Sequence, residues 1–171
     1  TEAAIEIAGG YFEAEFGVDT VISLTGTDMK PAVNGQAIPL WEAVAVRKGD
    51  VLKVSHFGEY GFRSYLGVAG GIDVPVYLGS KSTCLFGSYG GFEGRKLEPG
   101  DLIKFGKPSR ELSALVGRRM KSEAMPAYGR EWVLRAMPGP NASPDYLTKE
   151  GMDFLFSNSF RIQHSSNRSA Y

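Results

Sequence analysis

The sequence predicts a mainly β protein, a barrel or a sandwich of short strands with few helices. Glycine is frequent, with 22 residues among 171, and it separates short runs of β-branched and aromatic residues. Several runs alternate polar and apolar residues, as strands with one buried face do. Only one stretch, late in the chain, combines helix-start signals with an apolar stripe, so strands must supply most of the core.

The first strands are predicted from alternation around turn residues. Residues 3–7 and 11–16 flank a Gly-Gly pair, a pattern typical of a β-hairpin. Residues 21–24 form a third strand. Asn34 and Gly35 lie between two short apolar runs and are the strongest hairpin signal, because a type I′ turn needs positive φ at both central positions.

Further strands are expected at residues 41–46 and 51–55, joined by a tight Gly-Asp turn. The segment 99–104 repeats this turn pattern, so we predict two similar hairpins. Residues 63–68 form another strand by their alternation, which places Phe62, Ser64, Leu66 and Val68 on one side and Arg63, Tyr65 and Gly67 on the other.

The second half of the chain has a different composition and less regular spacing of apolar residues. Residues 107–128 are polar and lack a clean period, so we predict a long connection with a helical turn at 109–115. Residues 132–136 form a strand. A helix is predicted at 144–156, since Ser143 suits its N-cap and proline suits its first position. Its apolar side chains are expected to face the core.

Composition excludes several classes of function. Lys+Arg and Asp+Glu both number 19, so the chain lacks the basic footprint of a general nucleic-acid binder. No stretch approaches the roughly 20 apolar residues of a membrane span, and we expect neither kind of partner. One cysteine, Cys84, and two histidines predict no zinc site. A lone cysteine also fits a reducing compartment, so we expect a cytoplasmic location.

Polar and glycine residues are densest between positions 68 and 95. The hydroxyls of Ser80 and Ser82, the backbone N–H groups of Gly90 and Gly91, and the cation of Arg95 suit binding of a small anionic or carbonyl group. The alternative is that these glycines only form tight barrel turns.

Two other positions have a functional and a structural interpretation. Asn167 and Arg168 can orient an amide and a carboxylate, or they can be an ordinary polar strand end. Asp28, which follows Thr-Gly-Thr, can be an active-site acid or can form an Asx-turn.

These motifs, taken in order, resemble a known family. The "allophanate hydrolase subunit 2" family includes the carboxyltransferase region of urea carboxylase and urea amidolyase, the C-subunit of 5-oxoprolinase, and the Kip antagonist protein. The chain is similar to it at Thr-Gly-Thr-Asp-Met (25–29), residues 65–75 with their Gly-Gly-Ile-Asp-Val-Pro ending, residues 77–83, Gly-Gly-Phe-Glu-Gly-Arg (90–95), Gly-Asp (100–101), Pro-Gly-Pro (138–140) and Ser-Asn-Arg (166–168).

The resemblance implies a cyclophilin-like β-barrel with short helices, and it implies that residues 1–171 are one partial carboxyltransferase domain. Members of the family have further segments on both sides of this region. A strand predicted at 160–164 has no closing element before Tyr171, which agrees with a fragment of a larger carboxyltransferase domain.

The resemblance also implies a reaction, transfer of CO2 from carboxybiotin to a urea or urea-like nitrogen to give allophanate. Biotin would sit on a separate carrier domain, and a partner biotin carboxylase would use ATP and bicarbonate. A companion subunit 1-like half completes the set of partners. The C-subunit of ATP-dependent 5-oxoprolinase, which uses no biotin, and a non-catalytic Kip antagonist-like interaction protein are the alternative functions.

Site roles follow from that reaction. The resemblance implies Asp73 or Asp28 as acid or base. Asn167 would orient the urea-like substrate, and Arg168 would hold its carboxylate. The larger group expected to bind substrate or biotin comprises Asp28, Ser80, Ser82, Gly90, Gly91 and Arg95.

Overall fold

The computed structural model describes residues 2–9, 11–56, 58–131, 133, 135–139, 141–142 and 145–161. It divides into two compact units, Thr1–Arg130 and Glu131–Tyr171. The first unit contains two antiparallel four-stranded sheets, which confirms the prediction of a mainly β fold with short helices. The strands are numbered along the chain. In the first sheet they lie in the order β1 (Ile5–Ala8), β8 (Arg63–Val68), β3 (Thr20–Gly26) and β6 (Ala43–Val46). In the second sheet they lie in the order β2 (Phe12–Glu15), β7 (Val51–Val54), β4 (Ala32–Val33) and β5 (Gln36–Ala37).

One hydrophobic core contains side chains from both sheets. In the first sheet Leu24 of β3 is paired with Leu66 of β8, and both are 1% exposed. Leu52 of β7 belongs to the same cluster and is fully buried. Burying an aliphatic side chain of this size contributes roughly 1.5–3 kcal/mol. The alternation predicted for residues 63–68 is confirmed, because β8 turns Leu66 and Val68 inward and leaves Tyr65 exposed.

The Asn34-Gly35 hairpin is confirmed. Asn34 has φ 50° and Gly35 has φ 81°, so both central residues take the left-handed conformation of a type I′ turn. The Asn34 side chain also fastens the turn to β7: its Oδ1 accepts the Val51 N–H at 2.9 Å, and its amide donates to Asp50 Oδ1 at 2.8 Å.

Two predicted hairpins are wrong, although their strands exist. β1 pairs with β8 and β2 pairs with β7, so the chain changes sheet between them. At this crossing Gly9 has φ 79° and donates its N–H to the Phe62 carbonyl at 3.1 Å. The strands β6 and β7 likewise belong to different sheets. The partner of each strand is set by how its apolar side chains are buried in the shared core. A local turn pattern does not specify that partner.

The Gly-Asp turns themselves are present at both predicted places. The Asp50 carboxylate accepts the Arg47 N–H at 2.7 Å, and the Asp101 carboxylate accepts the Glu98 N–H at 2.7 Å. The second turn does not open a strand: of residues 102–105, only Phe105 forms a β-bridge, to Ile72.

The later part of the chain has less regular structure than expected. The helical turn predicted at 109–115 is confirmed as a 3-10 helix at Leu112–Ala114, and another at Ser122–Ala124 was not predicted. The strand predicted at 132–136 is wrong for residues 133, 135 and 136; Trp132 and Leu134 lie outside the described residues.

The helix of the second unit begins later than expected. α1 spans Lys149–Ser157, and Thr148 is its N-cap, with the side chain accepting the Gly151 N–H at 3.1 Å. The predicted cap Ser143 lies outside the described residues. The prediction of a core-facing stripe is wrong, since no residue of α1 is buried and Phe154 is 58% exposed. Phe160 and Arg161 are not in a strand, and the rest of the strand predicted at 160–164 lies outside the described residues.

No helix in the described part of the chain combines the length and the apolar character required to cross a membrane.

Candidate functional site

The glycine pair at 70 and 71 marks a crossing of two chain segments. Gly70 and Gly71 have φ 88° and 71°, and the carbonyl of Gly71 accepts the Gly106 N–H at 2.9 Å. A Cβ atom on Gly70 would overlap the Gly106 carbonyl. Just beyond, the Asp73 N–H donates to the Lys104 carbonyl at 2.9 Å. The backbone around Asp73 is therefore held by its neighbours, while its side chain is exposed.

Ser80 closes a small hairpin. Tyr77 and Ser80 exchange backbone hydrogen bonds of 2.8 and 3.0 Å, and the two residues between them, Leu78 and Gly79, have φ 48° and 77°. This is a second type I′ turn. The Ser80 hydroxyl oxygen accepts the Ser82 N–H at 3.1 Å, so the two serines predicted to bind a ligand lie together and are exposed.

The glycine loop packs on the serine segment. A Cβ on Gly90 would meet the Ser82 carbonyl oxygen, and one on Gly91 would overlap the Thr83 hydroxyl. Only glycine permits this approach, and their φ values of 70° and 53° also favour glycine. The structure therefore brings Ser80, Ser82, Gly90 and Gly91 into one region formed by consecutive turns.

Arg95 follows this loop, but protein groups occupy its guanidinium. Nε and Nη2 donate to Glu93 Oε2 at 3.2 and 2.9 Å, and Nη1 and Nη2 donate to the two Asp101 oxygens at 2.8 Å each. Nη1 also donates to the Lys96 carbonyl at 2.9 Å, and the guanidinium carbon lies 5.1 Å from the centre of the Phe92 ring. These bonds use all five donors of an arginine.

The charges of this cluster stabilise each other. Hydrogen bonding to Asp101 is the largest influence that raises the pKa of Arg95 above its ordinary value. The Arg95 guanidinium, followed by the Glu98 N–H, lowers the pKa of Asp101 to about 2. Both groups are therefore ionised at neutral pH.

Asp28 forms the Asx-turn that the sequence offered as one interpretation. Its Oδ1 accepts the Lys30 N–H at 2.8 Å, and its Oδ2 accepts the Lys30 ammonium at 2.6 Å. The hydrogen bond from Lys30 lowers the pKa of Asp28. A carboxyl group held in its ionised form is a poor proton donor, so these contacts favour the turn role; a catalytic role for Asp28 stays a prediction.

Asp73 differs from Asp28 in its surroundings. Its side chain is exposed and makes no hydrogen bond or ion pair within the described ranges. Its role as acid or base stays a prediction. Asn167 and Arg168 lie outside the described residues.

The sequence did not single out the aromatic residues beside the serines. The rings of Tyr77 and Tyr89 are 4.9 Å apart, and Tyr89 is joined to Cys84 by backbone hydrogen bonds of 2.9 and 3.3 Å. A hydrogen bond from the Tyr89 side chain, followed by backbone N–H groups of Gly87 and Phe86, lowers the pKa of Cys84. Their spacing along two hairpins carries no periodic signal that could have revealed the cluster.

A depression away from the glycine-rich loops lies on the first sheet. It has a volume of about 310 Å³, and its two arginines make no ion pair with any residue that the structure describes. The depression is lined by Ser23, Thr25, Trp41, Arg118, Arg119 and Met120.

Within the described residues, no group of three or more His, Cys, Asp or Glu side chains is arranged to hold a metal ion. The loop region offers hydroxyl and backbone donors, a donor set for an organic anion or carbonyl compound.

These glycine-rich turns on a two-sheet scaffold are those of a carboxyltransferase domain. The chain belongs to the family described as carboxyltransferase domain, subdomain A and B, whose model matches residues 1–171. It is 33% identical to the urea amidolyase of Lachancea kluyveri over 172 residues, covering 96% of this chain and 9% of that protein. It is 32% identical to the 5-oxoprolinase C-subunit of Escherichia coli over 168 residues, covering 98% of this chain and 51% of that protein.

A solved structure agrees with this assignment. The crystal structure of the Kluyveromyces lactis urea amidolyase matches with a TM-score of 0.78 and 30% identity, over 96% of this chain and 10% of that one. The family resemblance seen in the sequence is confirmed. The chain spans about a tenth of the urea amidolyases it matches and about half of the 5-oxoprolinase protein.

Proposed function

We propose that this chain forms part of the carboxyltransferase domain of a biotin-dependent urea carboxylase, an enzyme that transfers a carboxyl group to a urea nitrogen and gives allophanate. The observation that carries the proposal is the match to a urea amidolyase over 96% of the chain at a TM-score of 0.78. Similarity of sequence alone supports both urea amidolyase and the C-subunit of 5-oxoprolinase.

The loop region supports the chemistry of such a transfer. When bound, biotin would supply the carboxyl group, and donors of this chain would stabilise the negative charge left on its ureido oxygen. Donors fixed in advance stabilise developing charge best. We assign this role to the hydroxyls of Ser80 and Ser82 and to the backbone N–H groups of Gly90 and Gly91. Their donor chemistry fits a neutral ureido group better than it fits a phosphate, because none of them carries a positive charge.

A proton must leave the substrate nitrogen during the transfer. Asp73 is our candidate for its acceptor, because its carboxylate is exposed and has no partner among the described groups. Asp28 is the less suitable candidate, since Lys30 already binds both of its oxygens. Asn167 and Arg168 are proposed to orient the substrate amide and its new carboxylate.

The proposed reaction needs other parts. A biotin carboxylase consumes ATP and bicarbonate, a biotin carrier domain brings the carboxyl group, and a companion subunit 1-like half completes the domain. The length of the relatives supports this arrangement, since the chain covers only 9% of the Lachancea kluyveri urea amidolyase.

One alternative has a specific observation in its favour. The alignment with the Escherichia coli 5-oxoprolinase C-subunit covers 98% of this chain. As such a subunit it would act on 5-oxoproline with ATP and without biotin.

One assay separates the two functions. The full-length protein with its partner domains is given ATP and bicarbonate, with urea in one reaction and 5-oxoproline in another. We expect urea-dependent ATP hydrolysis that avidin abolishes. ATP-dependent turnover of 5-oxoproline that avidin leaves unchanged would overturn the proposal.

The acid–base assignment is tested by Asp73→Asn, with Asp28→Asn as the matched control. We expect Asp73→Asn to lower turnover by roughly a hundredfold, the usual size of a general-base contribution, and Asp28→Asn to change it far less. The reverse order would move the role to Asp28.

A second pair of variants, Asn167→Ala and Arg168→Ala, tests the proposed substrate contacts. Near-normal rates in both would argue against a functional role for these residues.

A further inference from the structure

Arg95 is the one cation of the glycine-rich motif at 90–95, and the sequence alone suggests that it binds the substrate. Its contacts argue against that role. All five of its donors are taken by Glu93, Lys96 and Asp101, and the two bonds to Asp101 are the parallel pair that fits a carboxylate best. A substrate anion could contact the guanidinium only by replacing one of these carboxylates.

The same contacts lie at the C-terminal end of a loop with a left-handed backbone. Gly90, Gly91, Glu93 and Gly94 all have positive φ, between 52° and 70°. For Glu93, which is not glycine, such a conformation is unfavourable and must be held by its contacts. The Gly94 N–H donates to the Gly90 carbonyl at 3.0 Å, so the turn from Gly90 to Gly94 is closed by a backbone hydrogen bond one residue before Arg95.

Asp101 joins Arg95, the residue that follows this loop, to the turn at Glu98–Asp101. One Asp101 oxygen accepts the Glu98 N–H at 2.7 Å while the same carboxylate binds Arg95. Only 16% of the Asp101 side chain is exposed, compared with 66% for Glu93, so water competes least for the Arg95–Asp101 pair.

We propose that Arg95 is a positioning residue, which with Asp101 and Glu93 forms a clip that holds the Gly90–Gly91 backbone in place for carboxyl transfer. The part of this inference that concerns catalysis rests on the proposed function. Arg95 touches no substrate in this scheme. It acts by holding the left-handed turn closed, so that the loop's backbone donors are already oriented when charge develops.

The chain offers a matched control for this clip. Asp50 caps a turn of the same Gly-Asp type, with its carboxylate accepting the Arg47 N–H at 2.7 Å. Its other oxygen binds the Asn34 amide instead of an arginine. Asp50→Asn therefore weakens an equivalent cap without touching the clip.

The experiment compares Asp101→Asn, Arg95→Lys and Asp50→Asn in the full-length protein. Hydrogen exchange is measured at residues 88–95, and kcat and KM are measured with urea. For Asp101→Asn and Arg95→Lys we expect faster exchange in this loop and a fall in kcat of roughly tenfold to a hundredfold, the usual result of misplacing a reacting group. We expect KM for urea to change less than kcat, and Asp50→Asn to leave both loop exchange and kcat unchanged.

The two roles of Arg95 predict opposite results for Asp101→Asn. If Arg95 binds the substrate directly, removing its carboxylate partner frees it, and turnover is kept or rises while Arg95→Lys raises KM. That result overturns the clip. Unchanged loop exchange in both variants also overturns it. If Asp101→Asn does not fold, Glu93→Gln, at an exposed carboxylate, provides the same comparison with a smaller expected effect.

Failure of the clip and failure of the proposed function are distinguishable. A wild-type protein without urea turnover contradicts the proposed function. The exchange measurement does not need turnover, so it still decides whether Arg95 and Asp101 hold the loop.

Discussion

Gly70 and Gly106 meet backbone to backbone, and each occupies the space that a Cβ atom of the other would require. The contact joins the segment that follows β8 to the segment that follows Phe105, and the Gly106 N–H bond to the Gly71 carbonyl, 2.9 Å long, secures it. Asp73 is three residues from this crossing. The crossing therefore fixes the backbone from which the candidate acid–base residue projects.

Replacing Gly70 tests how much this crossing contributes to stability. Gly70 and Gly49 share a φ of 88°, but a Cβ on Gly49 meets nothing within 4 Å. We expect Gly49→Ala to lower the free energy of unfolding by about 1–2 kcal/mol from backbone strain alone. Gly70→Ala should lose more, above about 3 kcal/mol, because the Cβ also overlaps the Gly106 carbonyl. Urea denaturation measures the unfolding free energy of both variants. Equal losses would show that the Gly106 segment moves aside for the added Cβ at little cost.

The type I′ turn at Asn34 predicts a graded response. Asn34→Ala keeps a side chain at positive φ but loses the hydrogen bonds to Val51 and Asp50, so we expect a loss of about 1–2 kcal/mol. Asn34→Gly removes the strain as well as the bonds, so its loss should be smaller. Thermal or urea unfolding of the two variants ranks them. A larger loss for glycine would contradict the assigned backbone strain, because both variants lose the same side-chain bonds.

The Asp101 pKa predicts how acid affects stability. Folding lowers this pKa from 3.8 to about 2, so the contribution of the ionised carboxylate is complete above the unfolded value. It is lost as pH falls from about 4 to about 2. The difference in unfolding free energy between the wild type and Asp101→Asn should therefore be constant above about pH 5 and shrink below about pH 4. A difference that grows on acidification would contradict the assigned ion pair.

Cys84 gives a prediction about reactivity. The Tyr89 hydrogen bond is the largest influence that lowers the Cys84 pKa, and the thiolate is the nucleophilic form. Tyr89→Phe should therefore move the midpoint of the iodoacetamide rate against pH to higher values and slow labelling at neutral pH. Labelling in denaturing urea serves as the control, because the two proteins should then react alike. An unchanged midpoint in the folded variant would exclude the Tyr89 contact as the cause.

Much of the fold could be predicted because its signals are local. Asn34-Gly35 forms its turn through the conformational preferences of two adjacent residues, and β8 shows its buried face through simple alternation. The partners of β1 and β2 could not be predicted this way. Both strands exist, but burial in one shared core assigned them to different sheets, and that choice depends on residues more than 30 positions away.

The candidate site also has a part that local sequence signals predict and a part that depends on contacts in space. The sequence alone placed Ser80, Ser82, Gly90 and Gly91 in one glycine-rich region, because turn residues and hydroxyls there are neighbours in the chain. It also marked Arg95 as a cation with donors to offer. Only the tertiary structure decided what those donors bind. The Glu98–Asp101 turn brings the Asp101 carboxylate against the guanidinium. A carboxylate held this close accepts the hydrogen bonds that a substrate anion would otherwise accept.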